Sequence, residues 1–243
     1  MKPGRVDEYS GDELDALAET VRYQDWIAEQ FRPYLHGKII EIGAGIGTMA
    51  AKWINFADEL HLVEPASNLF PALQKEFQAC ASVHLHHGDL ETMLSGNPVL
   101  AKEAFNAVIL INVLEHIQDD ERLLKTIYRM LKPVGYLLIF VPAMPSLYGS
   151  LDRKFGHYRR YTKTGLEAVC GKAGYEITCS RYFDIFGAFP WWLINRVLQS
   201  STLNPRLAKL YDSLVVPFAR HAEKNITPPF GKNLVMVGCK KGK

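Results

Sequence analysis

Apolar residues in this chain come in short runs broken by glycine, proline and charge. Ile39 and Ile40 follow Lys38, and Leu60 to Val63 and Val83 to Leu85 come next. Phe105-Asn106-Ala107-Val108-Ile109-Leu110-Ile111 is the most apolar of them, and runs at Tyr136 to Val141 and Asn233 to Cys239 complete the set. Runs this short and apolar predict strands covered on both faces. Between them the spacing turns helical. Leu14, Leu17 and Val21 fall on one helical face, and Tyr23, Trp26, Ile27 and Phe31 continue it, so residues 1–36 are expected to form an N-terminal helical segment. Leu131-Lys132-Pro133-Val134-Gly135 is expected to end a helix and open the strand at Tyr136. Strands and helices that alternate imply an α/β fold, doubly wound around a mostly parallel sheet.

The first strand runs into Glu41-Ile42-Gly43-Ala44-Gly45-Ile46-Gly47-Thr48. Glycines let backbone turn tightly and approach a ligand where a Cβ would collide. A helix expected from Thr48 would aim free N–H groups there and favour negative charge, while Glu41 favours positive charge. The loop therefore suits a ligand carrying both signs, such as the methionine end of S-adenosylmethionine. A nicotinamide dinucleotide is the rival. Its fingerprint needs a third glycine where Thr48 stands, and Glu41 would oppose a pyrophosphate.

Two more acids close predicted strands. Glu64 ends the second, before Pro65, where a carboxylate can accept ribose hydroxyls. Asp89 ends the third and could accept an adenine amino group. The fourth strand leads into Asn112-Val113-Leu114-Glu115-His116.

With these motifs in register, residues 20 to 184 resemble the class I S-adenosylmethionine-dependent methyltransferases, within them the small-molecule group that includes the ubiquinone-type O-methyltransferases. The resemblance implies a Rossmann-like, seven-stranded sheet with a helical cap, and at this length and apolar content one methyltransferase domain over 1–243 is the simplest division. It implies S-adenosyl-L-methionine held by Glu41, Gly43, Gly45 and Gly47 at the methionine end, Glu64 at the ribose, Asp89 with Leu90 at the adenine, and Asn112 beneath the methionine. Tyr23 or Trp26 is expected to close over it. Leu147 to Asp152, with Gly156-His157-Tyr158-Arg159-Arg160-Tyr161, resembles a narrower bacterial subgroup.

Two stretches exceed what a sheet needs. Residues 144–163 follow the fifth strand at the carboxyl end of the sheet, where α/β folds bind ligands. Arg153, Lys154, Arg159, Arg160 and Lys163 make this stretch basic, and tyrosines interleave. Tyr148, Arg159, Arg160 and Tyr161 are thus expected to line the acceptor, which would carry a carboxylate or phosphate. Residues 185–230 are rich in phenylalanine and tryptophan; they could be a lid, a homodimer surface, or an interfacial helix making peripheral membrane contact with a lipid-linked substrate. A saccharide acceptor stays open as well.

Methyl transfer from a sulfonium is an in-line displacement that rests on positioning. A base helps if a hydroxyl must lose its proton, and His116 and His157 are the candidates, which makes O-methylation the expected reaction. A non-catalytic S-adenosylmethionine-binding module is the rival from another class.

Net charge of +2 and a pI near 8.3 do not mark a nucleic-acid binder. Cys80, Cys170, Cys179 and Cys239 lack metal-ligand spacing, so free thiols and no metal are expected. No signal peptide or spanning run appears, which makes a cytoplasmic protein the expectation.

Overall fold

A computed structural model describes Tyr9 and residues 18–242. Leu14 and Leu17 lie outside the described residues. The first described helix, α1, is Val21–Phe31, followed by a 3-10 turn at Arg32–Tyr34. The strands are β1 (Lys38–Ile42), β2 (Glu59–Glu64), β3 (Val83–His87), β4 (Phe105–Ile111), β5 (Leu131–Pro142), β6 (Glu176–Phe183) and β7 (Asn233–Cys239). They form one seven-stranded sheet in the order β3-β2-β1-β4-β5-β7-β6. Only β7 runs against its neighbours. The doubly wound, mostly parallel sheet expected from the sequence is thus present.

Side chains alternate across the sheet, as the strand period of two requires. Ile40, Val108, Leu110, Leu137 and Ile139 face one layer, formed by α4 (Leu90–Gly96), α5 (Asp120–Met130) and α7 (Lys163–Lys172). Ile39, Ala107, Ile109, Leu138 and Phe140 face the other. That second layer holds α1, the one-turn α2 (Ala50–Trp53), α3 (Phe70–Phe77) and part of α9 (Pro205–Asn225). β4 is buried along nearly its whole length, which explains its unbroken apolar run.

Two boundaries differ from expectation. The helix after the glycine loop begins at Ala50 rather than Thr48, because residues 45–49 remain in turns. β5 already starts at Leu131, which pairs with Phe105, and Val134 at φ 62° makes the kink that separates this first contact from Tyr136 onward.

Chain order reverses between β1 and β4, since β2 and β3 lie to one side of β1 and β4 to the other. In open α/β sheets the ligand crevice lies beyond the carboxyl ends of the strands at such a reversal. The glycine loop and the segment from Asn112 to His116 both leave from there.

Residues 185–230 form α8 (Ile185–Trp192), a π-helical turn at Leu193–Val197, and α9. Thr20 offers α1 no side-chain cap. Asp212 of α9 supplies one instead, accepting from Tyr23 N at 2.8 Å and Arg22 N at 3.2 Å.

Candidate active site

Gly43, Gly45 and Gly47 all take positive φ, at 75°, 58° and 89°. Packing adds a second demand. A Cβ on Gly43 would stand 2.6 Å from Val113 Cγ2, and one on Gly47 would stand 2.4 Å from the Phe77 ring. The loop is also tied to β2, because the N–H groups of Gly43 and Ala44 donate to Val63 O.

Glu64 finishes that attachment. Its Oε2 accepts from Gly45 N and its Oε1 from Ala66 N, both at 2.7 Å. Burial raises its pKa, and the two N–H donors pull the other way. A carboxylate oxygen has two lone pairs, so each Glu64 oxygen can still accept from a ligand hydroxyl. Glu41 lies in β1 and accepts from Trp53 Nε1 at 2.8 Å. Burial pushes it up to about 8, only partly offset by the indole bond.

Asn112 stands just past β4 with φ 51°, a left-handed backbone that asparagine tolerates. Its N–H donates to Phe140 O. Its side-chain Oδ1 is buried without a hydrogen-bond partner. Asp89 is exposed and caps α4, accepting from Thr92 N at 2.7 Å, while Leu90 packs into the core.

Across the crevice, His116 sits in the 3-10 turn Leu114–His116, and the His157 ring meets it edge-on with centroids 4.7 Å apart. Burial, and then His157, push His116 down to about 4, so its imidazole is neutral at pH 7. His157 is buried, and its Nδ1 lies 3.0 Å from Asp152 Oδ1. Asp152 opens the short helix α6 (Ser150–Lys154) with its Oδ2 on Gly149 N. Burial alone would raise this acid, but the bonds from His157, Asn195 and Gly149 and the Arg160 charge hold it below the usual carboxylate value. Asn195, from the π-helical turn, donates to Asp152 Oδ2 at 2.6 Å and to Leu147 O, and accepts from Leu151 N.

Within the expected acceptor wall, the arginines and tyrosines are held by partners of their own. Arg160 is buried, with Nε on Asp152 Oδ1 at 2.7 Å and NH1 on Ala143 O. Arg159 pairs with Asp120 at 3.0 Å and donates to Gln118 O. The single Tyr161 O–H donates to Asp120 at 2.8 Å, with Leu114 O 3.2 Å away, and Tyr148 donates to His157 O. The acids that neutralise Arg159 and Arg160 come from α5 and from within the loop, so these two cations brace the loop, while Arg153 and Lys154 stay exposed.

Tyr23 and Trp26, expected to close over the cofactor, are both buried. Tyr23 packs edge-on against Trp26, Phe140 and Phe183, and the Lys232 ammonium lies 4.6 Å from its ring centre. Trp26 lies against Phe183 with centroids 3.9 Å apart. Both rings fasten α1 to the sheet. Tyr9 instead bridges the crevice: its backbone exchanges hydrogen bonds with the Asn68 side chain beyond β2, and its ring meets His116 edge-on. Sequence reasoning missed Tyr9 and Asn195, which have no local pattern, and gave Asp152 no role although it closes the Leu147 to Asp152 motif.

Two groups could share a cation among the described residues: Glu115, His116 and His157, and Glu59, His61 and His84, each with ligand atoms within 4.8 Å of one another. Neither has the Cys/His spacing by which sequence finds a metal. All four cysteines are free.

The chain matches the model of a methyltransferase domain over residues 17–180. No curated protein matches it. Among solved structures it is similar to an S-adenosylmethionine-dependent methyltransferase from Thermotoga maritima, at 20% identity with 94% of each chain covered and a TM-score of 0.61. It is also similar to an S-adenosylmethionine-dependent methyltransferase from Archaeoglobus fulgidus, at 15% identity over 89% of this chain and 94% of that one, with a TM-score of 0.58. At such identities the likeness is one of fold.

Proposed function

The chain belongs to the class I S-adenosylmethionine-dependent methyltransferases, and from that membership we propose that it methylates a hydroxyl of a small-molecule acceptor, with His157 as the base. Its cofactor is S-adenosylmethionine, which supplies a methyl group on a cationic sulfur that departs as a neutral thioether.

The donor set fits that cofactor. Glu41 and the unpartnered Asn112 Oδ1 suit an ammonium, and the positive-φ loop of Gly43, Gly45 and Gly47 suits the methionine end. Glu64 suits a diol through its remaining lone pairs. Asp89 and Leu90 suit an adenine edge.

The observation that carries the base assignment is the Asp152–His157 pair beside His116. With Nδ1–H directed at a carboxylate, the imidazole presents Nε2 as its basic nitrogen, and the imidazolium formed by proton uptake is stabilised. His157 Nε2 would take the proton of the acceptor O–H, and bound S-adenosylmethionine would supply the methyl group for the oxygen left behind. His116 is neutral but weakly basic, which suits it to shaping a dry wall rather than to taking the proton. Nucleophile placement supplies the remainder.

The test supplies methyl-labelled cofactor and a panel of hydroxylated and aminated small molecules to wild type and His157→Ala. Label in a methyl ether, lost in the variant, is expected. Label in a methylamine, or ether formation undiminished in the variant, would overturn the reading.

A further inference from the structure

The longest helix is built inside out. In α9 the face turned to the protein holds Asp212, Val216, Ala219 and Glu223, all buried. The face turned to solvent holds Leu207, Leu210, Leu214 and Phe218, which spacings of three and four place on one stripe. Leu214 is 67% exposed and Phe218 61%. A surface helix of a water-soluble protein normally shows the opposite.

The stripe is continuous with α8. Phe186 meets Phe218 with ring centroids 5.2 Å apart, and Phe189, 66% exposed, stacks on Trp192. Charge completes the pattern. Within residues 185–230 both acids, Asp212 and Glu223, are buried, committed to the N–H groups that open α1 and α8. The charges that reach solvent are Arg196, Arg206, Lys209, Arg220 and Lys224, all positive. Lys209 and Arg220 also reach Glu19 and Glu29, near and in α1, through exposed pairs that contribute little.

We propose that the α8–α9 hairpin is a docking surface for an anionic lipid bilayer. Exposed leucine with phenylalanine and tryptophan is the chemistry that enters the headgroup boundary, and flanking arginine and lysine are attracted to anionic headgroups. A second copy of this chain fits less well. A two-fold contact sets a surface against itself, bringing these cations together without an exposed acid from the hairpin to meet them. No helix of the described residues is long and apolar enough to cross a membrane, so the contact is peripheral. The proposal does not depend on which acceptor atom is methylated.

Vesicles of phosphatidylcholine, alone or with about a third phosphatidylglycerol, are co-sedimented with the full chain at low and high salt. Wild type is expected to bind the anionic vesicles about tenfold better than the neutral ones, and less well as salt rises. Leu214→Glu with Phe218→Glu is expected to abolish binding while leaving Tm unchanged, and Arg206→Glu with Lys224→Glu is expected to weaken it. Equal sedimentation with both vesicle types would overturn the proposal. So would a dimer in analytical ultracentrifugation that the leucine-stripe variant dissolves without any vesicle binding by wild type.

Discussion

Asp152 Oδ1 receives His157 Nδ1 at 3.0 Å, and Arg160 Nε reaches the same oxygen at 2.7 Å. One carboxylate thus orients the candidate base and anchors the loop that carries it. Removing its charge would leave Arg160 buried beside a neutral partner, so rate and stability must be read separately.

His157→Ala is expected to lower kcat by about 10²- to 10⁴-fold, the usual reach of general-base catalysis, with the cofactor Kd unchanged. Asp152→Asn is expected to lower both kcat and Tm, whereas His116→Ala lowers kcat less. Single-turnover rates, calorimetric Kd values and melting curves on the three variants check this. A His157→Ala rate equal to wild type would remove the base.

Glu41 predicts a proton released on cofactor binding. Its folded pKa, raised to about 8 by burial, lies above its usual value, so the apo protein holds the acid mostly protonated near pH 7. A bound ammonium favours the carboxylate. Titration calorimetry at pH 7 in buffers of different ionisation heat is expected to show proton release with wild type and none with Glu41→Gln.

The pH dependence of apo stability has contributions of both signs, and His61, His116 and Glu41 are three of them. His61 and His116 are both pushed down to about 4 by burial, so the unfolded chain takes up protons that the folded one does not as pH falls from the ordinary histidine range. Stability is lost in that direction. For Glu41 the sign is opposite, because its raised folded pKa gives stability that is lost as pH climbs toward 8. Urea unfolding from pH 4 to 8 is expected to show a smaller loss of stability on acidification in His61→Asn and in His116→Asn than in wild type.

The two tyrosines separate packing from ligand contact. Tyr23→Ala empties a buried ring site and is expected to cost about 3–5 kcal/mol, as large aromatic truncations do. Tyr9→Ala spans the crevice mouth and is expected to weaken cofactor affinity with a stability change below about 1 kcal/mol. Chemical denaturation and Kd measured on both variants check the contrast; affinity unchanged in Tyr9→Ala would end its role.

Much of the framework is local and therefore legible. Val108 to Ile111 reads as a strand covered on both faces, and Gly43, Gly45 and Gly47 follow a strand at a spacing that fits a turn toward a ligand. Family resemblance then attached roles to Glu41, Glu64 and Asn112 that composition alone could not supply. The pairing of Arg159 is not legible for a physical reason: it finds its acid in Asp120, 39 residues back, and neither residue carries a sign of that pairing.

The sequence by itself determined strand order in the chain, the glycine bend and the acids at strand ends, since hydrophobic period and turn chemistry act over a few residues. Only the tertiary structure decided that His157 meets Asp152, that Asn195 braces them from 43 residues away, and that Asp212 caps a helix 189 residues upstream. It also decided that the leucines of α9 face outward. Period reveals that a helix has two faces. Which face is buried depends on what packs against it, and here the buried acids find backbone N–H donors that the apolar stripe could never satisfy.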